Sequence, residues 1–232
     1  MIDTVTDLKR AGRDLSLIFK DQHLLQQALT HKSYVYEHNL PILESNEKLE
    51  YLGDTILGFV VTNLIYKRFP SWGEGELSKF RARLVNTGAL ADVARKIRLG
   101  DHLLLGHGEE ISGGRDKTSI LADGFEALIG AFYLDSGLEP ARLYLTDIFV
   151  PLIEEESTKQ ESADHKTRLQ ELTAKKFGLA PEYRIFRESG PDHKKEFHAE
   201  VSVGRHVYGL GKGTSKKEAQ QEAAGEALKI LE

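Results

Sequence analysis

The hydrophobic positions of residues 1–155 follow a helical period, and this part of the sequence has no strand-like alternation. The segment from Glu47 to about Phe69 is predicted to be a helix, because apolar residues repeat at intervals of three and four. The stripe expected to face the core consists of Leu49, Leu52, Ile56 and Phe59. Similar patterns predict helices near residues 25–29, 77–85, 89–97, 119–130 and 140–154. We therefore expect an all-helical domain over residues 1–155.

A different pattern follows the polar run at residues 156–163, which has almost no large apolar residue and is expected to be an exposed linker. Residues 166–177 predict a helix whose inward side chains are Leu169, Leu172 and Phe177. Alternating apolar and polar residues then predict strands near 183–185, 197–203 and 205–210, and residues 216–231 predict a last helix. The order α-β-β-β-α indicates a small α+β domain over residues 164–232, so the chain is expected to be multi-domain.

Three carboxylates share one face of the predicted helix that begins near Glu47. Glu47, Glu50 and Asp54 are spaced three and four residues apart, which stacks their side chains. Stacked like charges repel by roughly 0.2–0.5 kcal/mol per pair on an exposed helix. These residues therefore form either a solvated acidic face or one wall of a cation site.

A second acidic pair, Asp123 and Glu126, lies in a segment that is otherwise apolar. Carboxylates are rarely buried unless they are paired or bind metal, so a solvated face explains this pair less well. Several small residues would let another helix approach closely, namely Ala122, Gly124, Ala127 and Gly130. Two such helices side by side would bring together four or five oxygen ligands, which suits Mg²⁺ or Mn²⁺.

The segment before the last helix carries the clearest sign of anion binding. Ser215 and Glu218 form a capping box, so that helix should begin at Lys216. Lys216 and Lys217 then lie at the positive end of the helix dipole, which is unfavourable by roughly 0.3–1 kcal/mol per charge. Bound phosphates would reverse that effect. The alternative is a solvated lysine pair without a partner.

Charge is unevenly distributed along the 232 residues, whose net charge is −5. Residues 1–163 contain 18 basic and 25 acidic residues, whereas residues 164–232 contain 13 and 11. An acidic catalytic domain joined to a basic binding domain fits this division. The sequence has no cysteine, which excludes thiolate metal sites and fits the cytoplasm. Residues 1–13 lack the apolar core of a secretion signal, and the most apolar stretch, 55–66, is too short to span a membrane.

The block from Asn46 to Thr55 resembles the signature of the bacterial ribonuclease III family, which reads roughly Asn-Glu-Arg-Leu-Glu-Phe-Leu-Gly-Asp-Ser. The departures Lys48, Tyr51 and Thr55 keep the charge, the aromatic ring and the hydroxyl. Residues 119–130 resemble the second acidic helix of that family, and residues 74–78 resemble its intervening acidic loop. The resemblance extends over almost the whole chain in the expected order. At His107 the family more often has Lys.

The resemblance implies an endoribonuclease that hydrolyses double-stranded RNA with Mg²⁺, or with Mn²⁺ in its place, and leaves 5′-phosphates, 3′-hydroxyls and short 3′ overhangs. It implies that divalent metal is held by Glu50, Asp54, Asp123 and Glu126, of which Asp54 and Glu126 are catalytic. Glu47 and Glu74 would assist from the edge. Water, rather than a protein nucleophile, would attack the phosphorus. His31 is expected to be structural rather than a general base, and precursors of ribosomal RNA are the implied substrates.

Residues 164–232 resemble the double-stranded RNA-binding domain. The resemblance rests on the α-β-β-β-α order and on six matching residues, Gly211, Gly213, Ser215, Lys216, Lys217 and Ala219. Such domains contact two successive minor grooves of duplex RNA and the phosphates between them. The residues implied to grip phosphates are Lys212, Lys216 and Lys217. Those implied to enter one minor groove are Thr167, Gln170 and Glu171, and the loop 191–194 with His193 would enter the other.

The resemblance also implies a homodimer of the catalytic domains. Tyr51 would be an aromatic knob inserted into the partner subunit, and the alternative is an ordinary core tyrosine. Neither a membrane partner nor a small-molecule cofactor is expected. Two other functions stay open: a duplex-RNA-binding regulator that does not cut, and a helical metal enzyme that acts on small diphosphates. Mg²⁺-dependent cleavage would separate the first from a nuclease, and competition between duplex RNA and a diphosphate would separate the second.

Overall fold

The computed structural model describes residues 5–191 and 195–232, and the chain divides into two compact units, the first ending at Ile153 and the second beginning at Glu154. The helices of the first unit are α1 (Val5–Asp14), α2 (Gln22–Leu29), α3 (Lys32–Glu37), α4 (Glu47–Arg68), α5 (Glu74–Leu84), α6 (Thr87–Lys96), α7 (His107–Ile111) and α8 (Thr118–Ser136). Helix α9 (Leu138–Phe177) begins in the first unit and ends in the second.

Helices dominate the first unit, as the hydrophobic period predicted. In the described residues of this unit, β-type backbone pairing is limited to one isolated bridge, between Thr30 and Leu104. Its core is formed by fully buried side chains that include Leu57, Phe80 and Phe125. The prediction of an all-helical first part is therefore confirmed. In the described part of the chain, no helix combines the length and the apolar character needed to cross a membrane.

Helices α4 and α8 make the closest packing contact in this unit, through glycine. A Cβ atom added to Gly53 would lie 1.7 Å from the carbonyl oxygen of Glu126, and one added to Gly130 would lie 2.2 Å from that of Leu49. The two backbones thus touch at positions where any side chain would intervene. Gly130 was among the small residues predicted to admit another helix.

The apolar stripe predicted for α4 is partly wrong. Leu49 is buried, but Leu52 and Ile56 are half-buried and Phe59 is 55% exposed. The side of α4 that faces the core instead carries Leu49, Gly53, Leu57, Val60, Val61 and Ile65. The cause is the close contact with α8, because it requires Gly53 to face inward and so rotates the apolar stripe away from Phe59.

The second unit contains the predicted α-β-β-β-α order, which confirms the fold class of this part. After the C-terminal part of α9 come β1 (Pro181–Ser189), β2 (Glu196–Val203) and β3 (His206–Gly213), an antiparallel sheet in that order, and then α10 (Lys216–Leu231). Ala219, Ala223 and Ala227 are fully buried, as their spacing predicted for packing on the sheet. Phe177 is not inward as predicted: it is 41% exposed and its ring centroid lies 6.1 Å from that of Tyr208.

Residues 156–163 lie within α9 rather than between two separate helices. Glu, Lys, Gln and Ala are good helix formers, so a polar run without glycine or proline can continue a helix. The polar composition predicted an exposed linker, whereas the run is helical and Ser157 within it is buried. The domain boundaries at residues 155 and 164 stay a prediction.

Candidate active site

Glu50, Asp123 and Glu126 come together beside the contact between α4 and α8. One carboxylate oxygen from each of the three lies within 4.8 Å of the other two, and all three residues are half-buried. Glu50 lies one turn before Gly53 on α4, and Glu126 lies one turn before Gly130 on α8. The glycine contact therefore sets the distance between the acidic side chain of α4 and those of α8. We name Glu50, Asp123 and Glu126 the acidic cluster.

Burial and mutual repulsion make the charged form of this cluster unfavourable. Burial, followed by the charges of Asp54 and Glu50, raises the pKa of Glu126 to about 7. Burial and then the charge of Asp123 raise the pKa of Glu50 as well. The pKa of Asp123 is raised by burial, and the positive charge of Lys32 opposes that rise.

The donor set of the acidic cluster fits a hard divalent cation. It offers carboxylate oxygens from two rigid helices, which is the ligand type that Mg²⁺ and Mn²⁺ prefer. A bound cation would also offset the burial and repulsion that oppose ionisation of these side chains. Among the described residues, these three form the group of acidic side chains close enough to share an ion.

Asp54 lies at the rim of the cluster rather than within it. Its side chain is exposed, and the group of three that lies within 4.8 Å does not include it. Its charge nevertheless reaches Glu126, whose pKa it raises more than any other neighbouring residue does. Asp54 is therefore near enough to contribute charge to the site, although the family resemblance implied that it is a direct ligand.

Glu47 and Glu74 are engaged with other partners. Glu47, the first residue of α4, accepts a hydrogen bond from the Lys32 ammonium, with 3.0 Å between Nζ and Oε1. Glu74, the first residue of α5, accepts a hydrogen bond from the Ser78 hydroxyl at 2.9 Å. Neither belongs to the acidic cluster. Lys32 was not predicted from the sequence, because its partner is fifteen residues away and on a different helix.

His31 has a structural role in this arrangement, as expected. It is the N-cap of α3, and its Nδ1 accepts a hydrogen bond from the backbone N–H of Ser33 at 3.2 Å. Burial lowers its pKa. His107 opens α7, where its backbone N–H donates to the carboxylate of Glu37.

Tyr51 points away from the core of its own unit. Its side chain is 80% exposed, so the alternative of an ordinary core tyrosine is wrong. It stands on α4 directly after Glu50. An exposed aromatic ring at this position is available to a partner, as the knob hypothesis requires.

The residues predicted to contact RNA are exposed wherever the structure describes them. Thr167, Gln170 and Glu171 are exposed on α9, and His193 lies outside the described residues. The lysines predicted to bind phosphate, Lys212, Lys216 and Lys217, are exposed at the end of β3 and the start of α10.

The start of α10 has the predicted capping interactions. The Ser215 hydroxyl accepts a hydrogen bond from the backbone N–H of Glu218 at 3.1 Å. The Glu218 carboxylate in turn accepts hydrogen bonds from Thr214, which together with the Ser215 backbone lower its pKa. Lys216 forms an ion pair with Glu188 at 2.9 Å. The capping box is therefore confirmed, and α10 begins at Lys216 as predicted.

Comparison with known proteins identifies the family. A family model described as Ribonuclease-III-like matches residues 21–153, and the model of the double-stranded RNA binding motif matches residues 165–231. A ribonuclease 3 from Thermobifida fusca is 52% identical over 208 residues, which cover 90% of this chain and 85% of the relative. The chain belongs to the ribonuclease III family. Its acidic cluster and glycine contact lie within the part that matches the nuclease model.

Other members of the ribonuclease III family show similar agreement. A ribonuclease 3 from Enterococcus faecalis is 44% identical over 215 residues, which cover 93% of both chains. A solved nuclease domain of ribonuclease III from Campylobacter jejuni has a TM-score of 0.56 and 40% identity, and the match covers 61% of this chain and 94% of that one. A second structure of that domain, at 2.2 Å resolution, gives a TM-score of 0.54.

Proposed function

We propose that this chain is an endoribonuclease that hydrolyses phosphodiester bonds of double-stranded RNA with a divalent metal ion. The observation that carries the proposal is the convergence of Glu50, Asp123 and Glu126 in the nuclease part of a ribonuclease III family member. The match to a double-stranded RNA binding motif over residues 165–231 supports duplex RNA as the substrate. A non-cutting regulator would have no need for three half-buried carboxylates that repel one another.

Glu50, Asp123 and Glu126 would hold Mg²⁺, with Mn²⁺ as a substitute, and Asp54 would complete the site from its rim. When bound, the ion would supply an activated water and stabilise the charge that develops on the leaving oxygen. The three carboxylates would fix its position, because they project from helices whose backbones touch at glycine. Asp54 and Glu126 are proposed as the catalytic residues, as the family resemblance implies, and among the neighbouring charges that of Asp54 acts most strongly on Glu126. Glu47 and Glu74 would act from the edge.

The second unit would bind the duplex through its exposed polar surface. Lys212, Lys216 and Lys217 would contact phosphates, since all three are exposed and two of them begin α10, at the positive end of its dipole. One minor groove would be entered by Thr167, Gln170 and Glu171. The next would be entered by His193 with residues 191–194.

We further propose that two copies act together, one on each strand, which leaves 5′-phosphates and short 3′ overhangs. The nuclease domain from Campylobacter jejuni is described as structurally flexible in a region involved in dimer formation, and its likeness to the first unit supports a dimer here. Tyr51, exposed beside the acidic cluster, would be the aromatic contact between subunits. Structured RNAs such as ribosomal-RNA precursors, in the cytoplasm, are the proposed substrates.

Cleavage of a long, end-labelled RNA duplex by the full chain tests this function. The reactions contain Mg²⁺, Mn²⁺ or EDTA, and the separated single strands serve as the control substrate. We expect short duplexes with 5′-phosphates in either metal, intact RNA in EDTA and little cutting of the single strands. Tight duplex binding without cleavage in either metal would contradict the proposal and favour a regulator.

A competition experiment addresses the rival of a small-diphosphate enzyme. Inorganic pyrophosphate and an unlabelled duplex are each added to the cleavage reaction, with free Mg²⁺ held constant. We expect the duplex to inhibit at far lower concentration, because the basic surface of the second unit recognises many phosphates along a helix. Stronger inhibition by pyrophosphate would favour the rival.

A further inference from the structure

Lys32 and Glu47 form an ion pair at the edge of the acidic cluster. Nζ of Lys32 lies 3.0 Å from Oε1 of Glu47, and their side chains are 51% and 45% exposed. An ion pair this exposed contributes little to the stability of the fold. The main effect of the ion pair is therefore on the charge and the position of the Glu47 carboxylate.

Backbone hydrogen bonds join the two segments of chain that carry Lys32 and Glu47. The N–H of Asn46, directly before Glu47, donates to the carbonyl of Thr30 at 2.8 Å. Beyond Thr30, the N–H of His31 donates to the carbonyl of Leu104 at 3.0 Å. Lys32 begins α3 and Glu47 begins α4, so the two side chains leave fixed points and meet without rearrangement.

The Lys32 ammonium also acts on the cluster itself. It is close enough for its positive charge to act on the carboxylates of Asp123 and Glu50. The ammonium is positively charged at neutral pH, as lysine ordinarily is, and it donates a hydrogen bond to the Glu47 carboxylate. Lys32 thus offsets part of the negative charge that would attract a metal ion to the cluster.

We propose that Lys32 is a positioning residue that holds Glu47 away from the acidic cluster and competes with divalent ions for its carboxylate. Lys32 thereby sets the ion concentration that the site requires. The inference rests on the proposed metal-dependent function and deepens it. An ion that recruits Glu47 must first displace the ammonium, and a second positive charge nearby weakens the binding of any cation to the cluster.

Mn²⁺ binding to the full chain, without RNA, tests the inference independently of activity. The concentration of free Mn²⁺ is followed by electron paramagnetic resonance for the wild type, Lys32→Gln and Lys32→Arg. We expect Lys32→Gln to bind Mn²⁺ about three- to ten-fold more tightly, mainly because the Glu47 carboxylate is released to the ion, with a smaller part from the loss of a half-exposed, partly screened charge. Lys32→Arg keeps the charge and should stay close to the wild type.

Lys229→Gln is the matched control for the loss of one positive charge. Lys229 pairs with Glu226 at 2.6 Å on α10, so its removal breaks an exposed ion pair of the same kind in the second unit. We expect its Mn²⁺ affinity to equal that of the wild type. A gain for Lys229→Gln as large as that for Lys32→Gln would mean that the position of the lost charge does not matter, and it would overturn the inference.

Glu47→Gln, alone and combined with Lys32→Gln, separates competition for Glu47 from a general charge effect. If the two compete, most of the gain from Lys32→Gln disappears once Glu47 is neutral. A full gain in the Glu47→Gln background, or no gain in Lys32→Gln alone, would overturn the inference while leaving the proposed nuclease intact. Failure of the wild type to bind Mn²⁺ would overturn both.

Discussion

Gly53 of α4 and Gly130 of α8 meet backbone to backbone. A Cβ atom added to Gly53 would lie 2.9 Å from the amide nitrogen of Gly130, and one added to Gly130 would lie 3.1 Å from that of Gly53. Because Glu50 and Glu126 each lie one turn before these glycines, the contact determines how closely the carboxylates approach. The packing of the fold and the geometry of the site therefore share one cause.

Gly53→Ala should separate the two helices. The added methyl group would overlap the backbone of α8, so we expect a loss of about 2–4 kcal/mol in the free energy of unfolding. The single tryptophan, Trp72, lies in the first unit and stacks on Phe69, so its fluorescence during urea unfolding reports on this unit.

Gly58→Ala on the same helix is the control for that substitution. A Cβ atom at Gly58 meets no atom within 4 Å, so alanine should be neutral or stabilise by up to about 1 kcal/mol. Equal stability of the Gly53 and Gly58 variants would contradict the close contact.

Glu126→Gln should stabilise the metal-free protein at high pH. The pKa of Glu126 is about 7 in the folded chain, above its ordinary value of 4.5, so the folded state retains a proton that the unfolded state releases. Stability from this group is present below about pH 4.5 and is lost as the pH rises to about 7. After allowance for solvent screening, we expect the variant to exceed the wild type by roughly 1–2 kcal/mol at pH 8 and by almost nothing at pH 4.5.

Urea unfolding in EDTA, followed by Trp72 fluorescence at the two pH values, measures this difference. Glu226→Gln, on the second unit, serves as the control for removing one acidic charge. A stability gain for Glu126→Gln that is independent of pH would contradict the raised pKa.

Tyr51→Ala should weaken dimerisation without unfolding the subunit. The ring is 80% exposed in the single chain, so we expect the free energy of unfolding of the monomer to change by less than about 0.5 kcal/mol. Sedimentation velocity should show more monomer, and cleavage should fall at low protein concentration. Tyr66→Ala, which removes another exposed tyrosine of α4, is the control. An unchanged dimer in Tyr51→Ala would exclude the knob role.

Lys217→Gln should weaken duplex binding equally for all sequences, because a phosphate contact carries no base information. The slope of log affinity against log salt concentration should become shallower by about 1. Gel-shift titrations at several salt concentrations measure it, with Lys229→Gln near the other end of the same helix as the control. An unchanged slope would place Lys217 outside the RNA contact.

Much of the site could be predicted from spacing. Acids three and four residues apart share a helical face whatever the fold, so the pairing of Asp123 with Glu126 followed from the sequence, whereas the spacing of Glu50 and Asp54 did not reveal that Asp54 lies at the rim of the cluster. The rotation of α4 could not be read from hydropathy, because Phe59 and Leu57 are equally apolar. Gly53, in the interior of a helix, was the available signal of close backbone contact.

Contacts between elements distant in sequence were beyond prediction. Lys32 and Glu47 meet because the backbone of Asn46 bonds to Thr30, and no periodicity encodes that bond. The continuity of α9 through residues 156–163 was missed because a polar run without glycine or proline is compatible with a helix as well as with a linker. In the second unit, strict alternation and a capping box determined the elements locally, and there the predicted order of elements was confirmed, although Phe177 is not inward.

Single-turnover cleavage of an RNA duplex by Glu126→Gln, with gel-shift binding measured on the same preparation, is the most direct test of the acidic cluster as the cutting site. Binding should equal that of the wild type, because Glu126 belongs to the first unit and the proposed RNA contacts to the second. Cleavage in Mg²⁺ should fall by at least about a hundred-fold, the size of effect expected from losing a group that stabilises the transition state. Glu226→Gln should cut normally. Cleavage by Glu126→Gln at the wild-type rate would contradict the assignment of the site.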